Sequence, residues 1–289
     1  MARARTIAIA ALSLLIAVTA VQGGAIPDDA VKMHYPQWPD LDVTGLNVLD
    51  GPIVPAVGGP YEKYLADDFR CTATGPITEI VIWGSYRDDL NAFPPLFNLA
   101  IYSDIPAGQS PTGYSMPDAM LWHWYGQAAL EEVYAAALDE GFYDPNPDEV
   151  VGSDTVCWKY VFHIDPAEAF EQTEDTIYWL GVHHSYDLDG SGVVDSGDES
   201  MLLQIPEWAY GWKTSIDHFN DDAVWCDVTS MDTDGRVQGQ GPWNELRFPD
   251  GHIFAGDSID LSFVIVPEPS SVAILVVGAV ALAIRRRYR

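Results

Sequence analysis

Apolar and polar residues alternate along several short stretches of the chain. Val156, Trp158, Tyr160, Phe162 and Ile164 alternate with Cys157, Lys159, Val161 and His163, and Ile259, Leu261, Phe263 and Ile265 alternate with Asp260, Ser262 and Val264. A period of two places one set of side chains on each face of a strand, so each stretch predicts a strand with one face for a core. Phe97, Leu99 and Ile101 repeat the pattern. Ile77 to Trp83 and Thr176 to Val182 are near-continuous apolar runs, of the kind found in the middle of a sandwich. Turn-forming clusters separate the runs at Pro94-Pro95, Pro106-Ala107-Gly108 and Asp144-Pro145-Asn146-Pro147. Only Ala128 to Glu140 reads as helix, although Val133, Tyr134 and Phe142 would suit a strand.

Ten or so strands without a long helical crossover select an all-β antiparallel sandwich, jelly-roll-like, over any α/β fold. Residues 26–265 are enough for one such domain, and the chain has no internal repeat. A hydrophobic fraction of 48% with 12% aromatics argues against disorder.

The two ends read differently. Arg3 and Arg5 precede an apolar stretch from Ile7 to Val18, and small residues follow at Val18-Thr19-Ala20 and Gly23-Gly24-Ala25. This is the layout of a secretory signal peptide over residues 1–25, cut after Ala20 or Ala25. At the other end, Pro267-Glu268-Pro269 is followed by an apolar run from Val272 to Ile284 and then by Arg285, Arg286, Arg287 and Arg289. The run is shorter than the roughly 20 residues that span a bilayer core, though snorkelling arginines extend its reach. It predicts a transient anchor over 272–284, with the arginines in the cytoplasm and Glu268 on the far side.

The Pro-Glu-Pro box, short span and basic stop resemble the PEP-CTERM sorting signal of exported bacterial proteins, over residues 266–289. The resemblance implies exosortase and the export machinery as partners, removal of the tail, and a destination at the cell surface or in the extracellular matrix. An ordinary C-terminal tail anchor is the plainer alternative. The body also resembles an uncharacterised family of secreted bacterial proteins. The likeness is carried by Tyr64 to Cys71, Ile80 to Ser85, Ser103 to Pro106, Gly211 to Ser215 and His218 to Trp225, and it covers roughly residues 60–265. It brings no activity with it.

Three cysteines in an oxidising compartment predict one bridge and one leftover thiol. Cys71 and Cys157 lie in the body that resembles the family and are the preferred pair, with all three pairings open to the sequence. No two cysteines stand at metal-ligand spacing.

Without both ends, the body keeps eight Lys and Arg against forty-two Asp and Glu, and the formal charge moves from −29 to −34. Nucleic-acid binding is excluded, because it needs basic side chains to replace phosphate counterions. Cations and neutral partners suit the field, which also keeps an exported protein soluble without any partner.

The sharpest chemical signal is Asp187 to Asp198. Asp187, Asp189, Ser191, the Val193 carbonyl, Asp195 and Asp198 fall at the alternating positions whose oxygens converge on Ca2+ in an EF-hand loop, and Gly192 sits at the sharp bend. The loop resembles a dockerin repeat, which likewise ends in Asp. The likeness stops at one copy: Asp232-Thr233-Asp234-Gly235 continues with Arg236 and Val237, where an oxygen ligand and a glycine are needed. The expectation is a structural calcium loop inserted between strands, with a solvated acidic turn as its rival.

A second cluster joins Trp212, Lys213, Asp217, His218, Asn220, Asp221, Asp222 and Trp225. Aromatic faces with carboxylates and amides are the groups that recognise sugars, so extracellular polysaccharide is the candidate partner. Alternatively the two tryptophans belong to the core and Asn220-Asp221-Asp222 caps a turn. A glycosidase is the weakest reading. Its two carboxyls must face each other at a set separation, which neighbours such as Asp67-Asp68 or Asp221-Asp222 in a strand cannot do. His183 and His184 should point to opposite faces and share no metal. No catalytic residues are assigned, and the sequence predicts a non-catalytic protein.

Overall fold

A computed structural model describes residues 31–51, 62–90, 96–133, 139–185, 209–231 and 237–266. The described residues hold seventeen strands and a single 3-10 turn at Arg87–Asp89. In chain order the strands are β1 (Leu46–Gly51), β2 (Lys63–Arg70), β3 (Gly75–Ile77), β4 (Glu79–Tyr86), β5 (Leu96–Ile105) and β6 (Met116–Gln127). There follow β7 (Ala129–Val133), β8 (Glu140–Asp144), β9 (Glu149–Asp154), β10 (Cys157–His163), β11 (Phe170–Gln172) and β12 (Ile177–His184). The last are β13 (Tyr210–Lys213), β14 (Val224–Met231), β15 (Val237–Gln240), β16 (Asn244–Glu245) and β17 (Phe263–Val266).

They form two large sheets. One runs β7-β10-β4-β13-β1-β8-β9, with β17 also on β4; the other runs β15-β14-β2-β12-β5-β6, with β16 on β14. A small β3-β11 ladder stands beside them. Pairing is antiparallel except between β1 and β8. The near-continuous apolar runs occupy interior strands, β4 between β10 and β13 and β12 between β2 and β5. Strands paired on both sides are the ones most deeply covered, which is why these runs lack a polar face.

Inner faces meet in one aromatic core. Phe97 of β5 packs against Tyr160, Phe162 and Tyr210 of the opposite sheet at 5.1–5.2 Å between ring centroids, and Phe69 meets Phe263 at 6.0 Å. Edge-to-face contacts of this kind add about 0.5–1.5 kcal/mol each to the burial of the rings. The outer face of the second sheet is covered too. Tyr64, Tyr102 and Trp179 form a smaller cluster under Trp243, whose carbonyl accepts the Tyr114 hydroxyl at 2.6 Å.

The turn clusters hold where they are described. Asp148 N–H donates to the Asp144 carbonyl at 3.0 Å and closes the β8–β9 hairpin, and Gln109 N–H donates to the Pro106 carbonyl at 2.8 Å. The helix expected over Ala128 to Glu140 is a correction. Its first part is β7, an edge strand in register with β10, where Lys159 faces Glu131 with Nζ 3.0 Å from Oε2. Pairing on a ready-made edge overrides the helical propensity of Ala, Leu and Glu. No helix among the described residues is long and apolar enough to cross a membrane, and the expected span at 272–284 lies outside them.

The expected Cys71–Cys157 bridge is also a correction, since Cys71, Cys157 and Cys226 are all free and buried. Cys71 bridges Met33 next to Lys32, whose N–H donates to the Ile265 carbonyl, and Ile265 is in register with Ile80 of β4. Cys157 instead lies one step beyond Trp158, which is in register with Gly84 at the other end of β4. The two cysteines therefore stand roughly 15 Å apart along the strand at about 3.3 Å per residue, twice the reach of a disulfide. Burial pushes the Cys71 and Cys157 thiols up to about 12, leaving them protonated and unreactive in the folded protein.

Candidate functional site

Beyond β13 the chain crosses one end of the sandwich from Thr214 to Asp222. Isolated bridges from Thr214 to Leu261 and from Ser215 to Pro39 tie this segment to both neighbours. Ser215 holds it twice over: its hydroxyl donates to the Trp38 carbonyl at 2.9 Å and accepts the Asp217 N–H at 3.0 Å. Asp260 anchors the rest, with Oδ1 2.6 Å from His218 Nδ1 and Oδ2 accepting the Phe219 N–H at 2.6 Å.

Behind Asp260 the acid network continues inward. Gln37 Nε2 donates to Asp67 Oδ2 at 2.7 Å and to Asp260 Oδ2 at 3.4 Å, and Asp67 also accepts the Leu261 N–H at 2.5 Å. Asp260 was expected on a solvent-facing side of an alternating strand; it is buried because Gln37, His218 and Phe219 cover that side. Burial raises Asp67 and Asp68 well above the ordinary carboxylate range and raises Asp260 against the hydrogen bond from His218. That same hydrogen bond raises His218.

The segment opens onto a surface cleft of about 330 Å³. Ser215 to His218 form one side, and Asp40 and Thr44, ahead of β1, another. The remainder comes from Phe248, Phe254, Asp257, Ser258 and Asp260 in the turns before β17. Those turns need glycine at Gly251 and Gly256, with φ of 92° and 81°. They build an aromatic wall in which His252 stacks on Phe248 at 4.5 Å and Phe254 meets Phe248 edge-on at 5.6 Å. His252 Nε2 lies 3.1 Å from the Thr44 carbonyl and its Nδ1 accepts the Phe254 N–H at 3.2 Å, which fixes the tautomer and the wall.

Ser258, His218 and Asp260 have the residue types of a hydrolytic triad but a different arrangement. Ser258 Oγ lies 3.3 Å from His218 Nδ1, the same nitrogen that faces Asp260. A relay needs the serine on one ring nitrogen and the carboxylate on the other. His218 Nε2 has no protein partner among the described residues.

Of the sequence-predicted cluster, the structure brings only Asp217 and His218 into the cleft. Asn220, at a positive φ of 57°, donates to Asp68 Oδ2 at 2.6 Å and to Asp221 at 2.7 Å, and Asp222 pairs with Arg247. Trp212 is a correction: it is fully buried, with its indole N–H donating to the Ser262 carbonyl at 2.8 Å. Lys213 is buried as well and ion-pairs with Glu140. Trp225 is half-buried under Lys63 Nζ, 4.6 Å from its ring, and does not line the cleft. Asp40, Phe248, Phe254, Asp257, Ser258 and Asp260 escaped the sequence reading. Phe248, just before the turn-rich run Pro249 to Asp257, and Phe254 inside it were the available signal, since loops seldom carry aromatics without a surface to build.

His183 and His184 point to opposite faces as expected. His183 Nε2 lies 2.5 Å from Glu62 Oε2, whereas the His184 ring stacks on Tyr210 at 4.9 Å with Nε2 3.1 Å from the Tyr86 hydroxyl. Desolvation pushes His184 down to about 3, so it is neutral in the fold. The same desolvation acts on His183 but is outweighed by Asp50 and Glu62, which hold it above its ordinary value. No group of three or more His, Cys, Asp or Glu among the described residues is placed to hold a metal ion, and the calcium-loop positions 187–198 lie outside them.

The fold and site define an all-β sandwich with an acid-lined, aromatic-walled cleft at one end. The chain belongs to the family described as Domain of unknown function (DUF7901), which matches residues 33–266. Residues 266–287 match the PEP-CTERM protein-sorting motif, which marks an exported protein with a C-terminal sorting tail and implies processing by exosortase. No curated protein matches the chain, and neither does any solved structure.

Proposed function

We propose that this is a non-catalytic protein of the cell surface or extracellular matrix, held briefly in the membrane by Val272 to Ile284 and released by exosortase. The observation that carries this reading is where the sorting motif begins. The match starts at residue 266, the last residue of β17, which pairs with β4 through Val266 and Glu79. Cleavage in the Pro-Glu-Pro box therefore trims the chain just after the last strand of the described residues and leaves the sandwich whole. Replacing Pro267, Glu268 and Pro269 with alanine should leave uncleaved protein in the membrane fraction. Unchanged release of that variant would overturn the proposal.

In this reading the Asp187 to Asp198 loop binds structural Ca2+ at the roughly 10⁻⁴ to 10⁻³ M affinities of extracellular modules. At calcium about 100-fold above Kd the stabilisation is about 2.7 kcal/mol, so chelator should lower the melting temperature by roughly 5–10 °C. Identical melting in calcium and chelator would remove the loop from the account.

Carbohydrate binding is the second reading, and the cleft is the observation that favours it. Phe254 is partly exposed beside the carboxylates of Asp217 and Asp257. An aromatic face for the apolar side of a sugar and acceptors for its hydroxyls are then within one concavity.

A further inference from the structure

We propose that the cleft takes a glycan bearing free amino groups, a cationic amino-sugar oligosaccharide, in preference to neutral or acetylated chains. This deepens the carbohydrate reading and rests on it. Four carboxylates line the cleft, at Asp40, Asp217, Asp257 and Asp260, and none of its lining residues is a lysine or arginine. The nearby cations are engaged elsewhere: Arg247 with Asp222 and Glu245, and Lys213, fully buried, with Glu140.

The four carboxylates are not equivalent. Asp40 is occupied by the Asp42 N–H and the Thr44 hydroxyl, and Asp260 by His218 and the Phe219 N–H. Asp217 and Asp257 have no side-chain hydrogen bond or ion pair within the described residues, so they are the pair left to meet a ligand. A carboxylate meeting an ammonium forms a charge-assisted hydrogen bond, stronger than one to a neutral hydroxyl. The partly exposed Phe254 ring adds an apolar face for the sugar and a π-surface for the charge. Asp217 and Asp257 repel uronic-acid or phosphorylated glycans, and His218, the one lining residue able to carry positive charge, is already paired with Asp260. A volume of about 330 Å³ holds one or two sugar rings, at the lower end of the range for small-ligand sites.

The test is calorimetric titration of the exported protein at neutral pH with three probes: a short β-1,4-linked glucosamine oligomer, its fully N-acetylated counterpart and the matching glucose oligomer. The glucosamine oligomer should bind about tenfold or more tighter than either of the others, a difference of about 1.4 kcal/mol. Its affinity should weaken as salt rises. Asp217→Asn and Asp257→Asn should each lower that affinity several-fold without moving the melting temperature. Equal or tighter binding of the acetylated or neutral oligomer would overturn the amine preference while leaving the glycan reading standing. Binding of none of the three would overturn both. Glucosamine binding indifferent to both substitutions would remove it from this cleft.

Discussion

Trp212→Ala should cost about 3–5 kcal/mol and lower the melting temperature by roughly 10 °C or more, without acting through any ligand. Trp212 lies on β13, the strand that joins β1 to β4 in the first sheet. Its ring is fully buried and meets Phe263 edge-on at 6.0 Å, so truncation opens a cavity where two strands depend on each other. It also leaves the Ser262 carbonyl without its indole donor, a further penalty that hydrophobic refilling cannot remove. Trp212→Phe should therefore recover part of the loss, and Trp225→Ala, at a half-buried site, should cost much less. Denaturant melts of the three variants decide it; a Trp212→Ala protein as stable as the parent would contradict the placement of this residue in the core.

Raising the pH from 5.5 to 8 should destabilise the protein. Burial holds Asp154 up to about 7 against an ordinary value of 3.8. A carboxyl raised on folding contributes stability that is complete below its unfolded value and is lost as pH rises through the folded one. Between pH 5.5 and 8 that loss is about 2 kcal/mol for Asp154 alone, or roughly 5 °C in melting temperature. Burial raises Asp50, Asp67, Asp68, Asp260 and Glu140 in the same direction. His183 and His218, raised by their acidic neighbours, also lose their contribution as pH climbs past 6.5. His184 opposes them: with a folded value of about 3, it stabilises above 6.5 and gives that up as pH falls. Over this range Asp154 alone loses about 2 kcal/mol while His184 gains about 1.4 kcal/mol, most of it between pH 5.5 and 6.5, so the net sign is unchanged, and growing repulsion among exposed acids reinforces it. Thermal melts across the range should peak on the acid side of neutrality and flatten in Asp154→Asn. A melting temperature that climbs from pH 5.5 to 8 would contradict the buried acid network.

The sandwich was legible because its interior strands announce themselves. β10 alternates, β12 is apolar from Ile177 to Val182, and turn residues close the β8–β9 hairpin where expected. Short strands such as β3, β11 and β16, of two or three residues, are below the length at which a period shows. Ala129 to Val133 became a strand through an edge offered by β10, a partner 28 residues away at the Lys159–Glu131 contact.

The site was half legible for a related reason. Asp217 and His218 declare their chemistry by type, but periodicity reports which face a residue occupies and not what covers that face. Asp260 and Trp212 were misplaced on that account, one buried by Gln37 and His218 and the other by Ser262 and Phe263. The cleft itself joins segments near residues 40, 217 and 257, a concavity with no local signature.

Peptide mapping of the protein recovered from outside the cell is the decisive measurement of exosortase processing. The C-terminal peptide should end in or just after Pro267-Glu268-Pro269, with Val272 to Arg289 missing. Mature protein that still ends in Arg285-Arg286-Arg287-Tyr288-Arg289 would contradict exosortase processing and the surface role built on it.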